Sequence, residues 1–111
     1  MVQLSDVAQS SAHVELGTAL PVVAESTTSR VVVSNDLLRV VQFTFDTGQL
    51  LTEHTSPRAV VVQLVSGHIT FTVGGAEADM TEGDIIYLAP NDPHSLVALE
   101  PSRLTLVMVD R

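Results

Sequence analysis

At 111 residues the chain is long enough for one domain with a single core and too short for two. Thirteen acidic residues stand against five basic ones, all arginine, and the resulting charge of −8 repels phosphate backbones and argues against a nucleic-acid partner. The lack of cysteine excludes a disulfide framework and thiolate chemistry, and fits a reducing, cytoplasmic setting.

The hydrophobic fraction of 45% is mostly Val and Leu, with three Phe, one Tyr and no Trp. β-Branched side chains favour pleated, half-buried surfaces, so an all-β architecture is expected. Residues 1–30 are mixed in pattern and are expected to form a short arm packed on the remaining domain, 31–111, or on a partner subunit. Within the arm, "LSDVAQ" predicts one helical turn with Ser5 as its N-cap. "ALPVVAES" predicts a short edge strand interrupted by Pro21.

"RVVVSNDLLRVVQFTF" predicts two strands, Arg30 to Val33 and Leu37 to Phe45, joined at the turn-forming Ser34-Asn35-Asp36. After Gly48, strands are expected over Leu50 to His54, Ala59 to Val65, His68 to Val73 and Ala76 to Met80. Ile85 to Leu88, Ser95 to Leu99 and Leu104 to Val109 complete the series. Short strands separated by Gly, Pro, Asn and Asp turns predict a sandwich or barrel of jelly-roll type. The N-terminus has no cationic start followed by an apolar region, so no secretory signal is expected. Apolar runs such as "AVVVQLV" fall far short of the roughly 20 residues of a membrane helix, so no membrane partner is expected.

Two stretches carry the chemistry: "GQLLTEHTSPRAVVVQLVSGHITFTVGG" and "EGDIIYLAPNDPHSLVAL". Together they resemble the cupin superfamily, in particular its small single-domain, RmlC-like members. The second motif is complete at Gly83, Asp84, Pro90, Asn91, Pro93 and His94. In the first, Gly48, His54 and Gly67 stand at the family's offsets, but Ser56 occupies the place of a second histidine and Val60 that of a carboxylate. The resemblance implies a double-stranded β-helix barrel with an incomplete first metal-binding motif. It also implies His54 and His94 as candidate metal ligands, and a homodimer paired through the "RVVVSN" and "PVVAES" segments.

Alternate residues of a strand share a face. With His54 inward, Ser56, Val60, Val62 and Leu64 are expected to face the interior, as are His94, Leu96 and Ala98. Ser56, Val60, Val62 and Leu96 thus become candidate pocket-lining residues, and Glu53 falls on the opposite face. A stable transition-metal site usually needs three or four protein ligands. His54 and His94 supply two, so a divalent Ni, Zn, Fe or Mn ion would be held weakly. The alternative is a pair of barrel-lining imidazoles satisfied by hydrogen bonds.

Two functional readings follow from the resemblance. One is oxygenase- or isomerase-type chemistry on a small molecule at a weak metal site. The other is a metal-free module that binds or senses a small molecule without catalysis. A purely structural, dimerising role is a third reading, disfavoured by an open barrel with an apolar mouth. His68 is expected on the exposed face, His13 on the solvated surface of the arm. Arg58 is expected in a surface ion pair, or else against a carboxylate substrate. Gln63 and Tyr87 are expected in the pocket or at a subunit interface.

Overall fold

The computed structural model describes residues 6–109. Among these residues, nine strands follow one short helix. They are β1 (Thr27–Ser34), β2 (Leu38–Phe45), β3 (Leu50–His54), β4 (Ala59–Ser66), β5 (His68–Val73), β6 (Ala76–Thr81), β7 (Ile85–Leu88), β8 (His94–Ala98) and β9 (Ser102–Val109). The helix, α1, spans Leu16–Ala19. Every strand pairing is antiparallel.

Two sheets result, a five-stranded one in the order β1-β2-β9-β4-β7 and a four-stranded one in the order β3-β8-β5-β6. The last strand thus lies between the second and the fourth, the long-range weave of a jelly roll. Alternation along each strand sends one set of side chains into the space between the sheets. On β4, Val60, Val62 and Leu64 are buried, while Gln63 between them is exposed. On β8, His94, Leu96 and Ala98 are buried. Leu96, Ala98 and the three β4 residues join Phe45, Ile69, Phe71, Met80, Leu88 and Leu104 in one apolar core.

Turn chemistry sets the strand ends. The Asn35 side chain accepts the N–H groups of Leu37 and Leu38, closing the β1–β2 turn. Asp84 accepts the Thr81 N–H at 2.8 Å, and the Gly83 N–H donates to the Leu64 carbonyl at 2.7 Å. The Gly-Asp pair therefore closes a turn and leaves Asp84 engaged with backbone.

The arm departs from expectation. Residues 20–26 form no strand: Pro21 lacks an N–H, and Glu25 adopts a left-handed φ of 57° that interrupts extension. Ser5 lies outside the described residues. The Asp6 carbonyl accepts the Gln9 N–H at 3.1 Å, giving a turn rather than a helix. Arg103 on β9 helps bind the arm: its guanidinium donates to the carbonyls of Leu20 at 2.6 Å and Gly17 at 3.2 Å. β1 begins at Thr27, inside the segment read from sequence as arm.

Candidate functional site

His54 ends β3 and His94 begins β8, and the two are direct partners across the ladder between these strands. On β8 only one residue separates Leu96 from His94, but on β3 two separate Leu51 from His54. The extra residue is a bulge, and it matters for the side chain. Leu51 faces the interior, so strict alternation would send Glu53 inward and His54 outward. The bulge reverses this, placing His54 beside His94 and leaving Glu53 along an outer groove with Leu50 and Thr52.

The second histidine is positioned by its turn. Asn91 takes a φ of 70°, and its N–H donates to the Ser56 carbonyl at 2.7 Å. The Gly74 N–H donates to the Pro93 carbonyl at 2.9 Å. Ser56 itself is half-buried, its hydroxyl accepting the Arg58 N–H at 3.2 Å. Where the family motif would place a second histidine, this chain fastens the turn that carries His94.

The two imidazole rings lie 4.3 Å apart between centroids, inclined at 65°. His94 is 9% exposed and stacks on Phe71, with centroids 6.1 Å apart. His54 is exposed and sits at the mouth. Nδ1 of His54 is 2.8 Å from the Thr52 carbonyl and Nδ1 of His94 is 2.9 Å from the Asp92 carbonyl. A carbonyl only accepts, so each Nδ1 carries a proton, and in its neutral form each ring leaves Nε2 as an acceptor.

Between the sheets these rings open onto a narrow cleft of about 390 Å³, its open mouth included. Its walls are Phe43, Leu51, Phe71, Leu88, Leu96, Leu104 and Leu106, with His54, His94 and Ser95. Of the four lining candidates, Leu96 is in the wall. Val60 and Val62 are buried in the core and Ser56 stands in the loop before β4; none of the three is among the residues that wall the cleft. Phe43, Leu104 and Leu106 were not anticipated, because they come from β2 and β9, outside both motifs. The inward alternation of Phe43 with Phe45 was the available signal.

The other histidines lie apart from the cleft. His68 is half-buried rather than exposed, because its Nε2 meets Asp79 Oδ1 at 2.6 Å across the β5–β6 pair. His13 is exposed and bonds Ser11 at 2.9 Å. Arg58 is half-buried, and Tyr87 is exposed on β7.

The donor set bears directly on a metal. Imidazoles that donate Nδ1–H to carbonyls have the outer support common to metal-bound histidines. Among the described residues, however, no cluster of three or more His, Cys, Asp or Glu side chains could hold an ion. The site supplies two nitrogen donors where a stable site needs three or four, so the protein alone does not complete a metal shell.

The cupin domain family model matches residues 41–110, and the chain belongs to that family. Similar solved structures agree in fold. A Streptococcus pyogenes protein of unknown function is 24% identical, with 99% of this chain and 96% of that one covered at a TM-score of 0.83. KdgF from Halomonas sp. is 24% identical over 77% of this chain and 79% of that one, with a TM-score of 0.73. A mutant form of salicylate 1,2-dioxygenase from Pseudoaminobacter salicylatoxidans is 18% identical over 78% of this chain and 27% of that one, with a TM-score of 0.72. Among curated proteins, none matches. No helix among the described residues is long and apolar enough to cross a membrane.

Proposed function

We propose that this protein is a small-molecule-binding cupin module whose ligand enters the cleft at His54 and reaches His94. The observation that supports this reading most directly is the pairing of two Nε2 lone pairs with an otherwise apolar, aromatic-walled cleft. Ligand sites have this composition: a mostly apolar lining with a few convergent polar groups. Thermal-shift screening against a metabolite panel, in the presence of a chelator, tests it. Stabilisation by at least one compound, lost on substituting Leu96 by a larger residue that fills the cleft, is the expected result. No stabilisation across a broad panel argues against the reading.

A second reading is favoured by the two Nδ1–carbonyl bonds. In it the histidines hold a divalent Ni, Zn, Fe or Mn ion weakly, and water or the substrate completes the shell. The bound ion would supply Lewis acidity or oxygen chemistry of the oxygenase or isomerase kind. This chain's residues would fix the two imidazoles and exclude water with the Leu and Phe walls. Metal analysis of untagged protein tests it, together with melting in added metal. Absence of both metal and a stability gain sinks it.

We infer also that the protein acts as a homodimer in the cytoplasm. Val33, Val40, Val107, Val61 and Tyr87 stand in register across all five strands of one sheet. By alternation they lie on the face away from the core. A continuous apolar row suits a self-complementary contact. Light scattering is expected to give a dimer that Val107→Glu converts to monomer. A wild-type monomer at micromolar concentration overturns the inference.

A further inference from the structure

We propose that the cleft selects a small, neutral, aromatic hydrogen-bond donor, such as a phenol, and discriminates against carboxylates. This inference rests on the binding-module reading above and specifies its ligand class.

The polar lining is one-sided. Both Nδ1–H groups are committed to the carbonyls of Thr52 and Asp92, so what the neutral imidazoles offer the cleft is two acceptors. Ser95 lies between His94 and Leu96, so alternation turns its side chain outward, toward the outer groove that it also borders. No Arg or Lys is among the lining residues. An anion would therefore meet lone pairs and hydrocarbon within a chain of net charge −8, with no donor to replace its hydration. A neutral O–H or N–H meets a complementary acceptor.

Shape adds the second selection. Phe43, Phe71, His54 and His94 put four rings around a narrow cleft, and flat ligands gain from offset or edge-to-face contact with such rings. The donor must reach the Nε2 atoms while the apolar body stays among Leu51, Leu88 and Leu106.

Three probes separate these terms: phenol, anisole, which keeps the ring and loses the donor, and benzoate, which keeps the ring and adds charge. Binding is measured by NMR titration with EDTA at pH 8, above the ordinary imidazole pKa of about 6.5, and followed at the Phe71 and His94 resonances. Phenol is expected to bind about tenfold more tightly than anisole, the fold-change of one good hydrogen bond, and more tightly still than benzoate. Replacing exposed His54 by Phe is expected to shrink the phenol-to-anisole ratio while anisole binding persists. Anisole or benzoate binding as tightly as phenol overturns the proposed selectivity and leaves the pocket reading intact. No shift at the cleft with any of the three overturns the aromatic-donor proposal, and the binding reading falls with it only if the broad metabolite panel also gives no stabilisation.

Discussion

Gly67 and Ser102 approach so closely that the glycine has no room for a side chain. A Cβ at Gly67 would fall against the Ser102 hydroxyl and 2.6 Å from the Pro101 carbonyl oxygen, and the glycine holds a φ of +102°. Ser102 is fully buried. Its hydroxyl donates to the Glu100 carbonyl at 2.7 Å and accepts the His68 N–H at 3.0 Å. The start of β5 and the start of β9 are thus joined through a contact that only glycine permits. Gly67→Ala is expected to lower stability by at least about 2 kcal/mol, read from the urea midpoint. Gly48→Ala is the comparison: its φ is +83° but nothing lies within 4 Å, so it should cost only backbone strain of about 1–2 kcal/mol. Equal losses would show that crowding at Ser102 contributes nothing.

Asp46 ties the arm to the end of β2. Its carboxylate accepts the N–H of Glu25 at 2.7 Å and of Thr47 at 2.8 Å. The Glu25 bond, then the Thr47 bond, holds its pKa below the usual value of 3.8. A depressed folded-state pKa contributes stability that is present above the unfolded value and is lost as pH falls through the folded one. Stability should therefore decline as pH drops below about 4. Asp46→Asn keeps an acceptor but removes the titration, so its stability curve should be flatter there. A mutant curve parallel to wild type across that range would contradict the assignment.

His54 and His94 occupy different environments, although they face each other. Removing the buried ring of His94 strips Phe71 of its stacking partner and leaves a void beside Leu96, so His94→Ala should cost about 2–4 kcal/mol. Exposed His54 fills no core volume, and His54→Ala should cost under about 1 kcal/mol. Chemical denaturation of the two variants checks the asymmetry. Comparable losses would mean that His54 is supporting the core.

The strands were legible because alternation is a local property. Val60, Val62 and Leu64 against Gln63, and Leu96 and Ala98 after His94, fix the inward phase without any knowledge of partners. The bulge before His54 was not legible, since it exists only relative to β8, some forty residues further along the chain. Reading His54 as inward came from the family motif; strict alternation from Leu51 would have turned it out. Phe43, Leu104 and Leu106 entered the cleft for a similar reason. β9 inserts between β2 and β4, and that neighbourhood is set by long-range pairing. Val60 and Val62 are buried, as their phase predicts, yet do not wall the cleft, because which buried side chains border an opening is a packing property that periodicity does not encode.

Arg103 fastens the arm to the barrel at a second point. Besides the carbonyls of Leu20 and Gly17, its guanidinium donates to Gln42 Oε1 at 2.8 Å, and Gln42 is itself buried. One fork thus joins β9, β2 and α1 with the residue that follows it. Arg103→Met keeps most of the aliphatic stem while removing every donor. It should cost about 1–3 kcal/mol through unpaired acceptors. The more specific consequence is local: cleavage by a glutamate-specific protease at Glu15 and Glu25 should accelerate more than cleavage at Glu77 on β6. Mass spectrometry of a digestion time course separates the sites. Equal acceleration everywhere would mean that Arg103 stabilises the barrel as a whole, and that the arm is held by other contacts, such as the bond from the Glu25 N–H to Asp46.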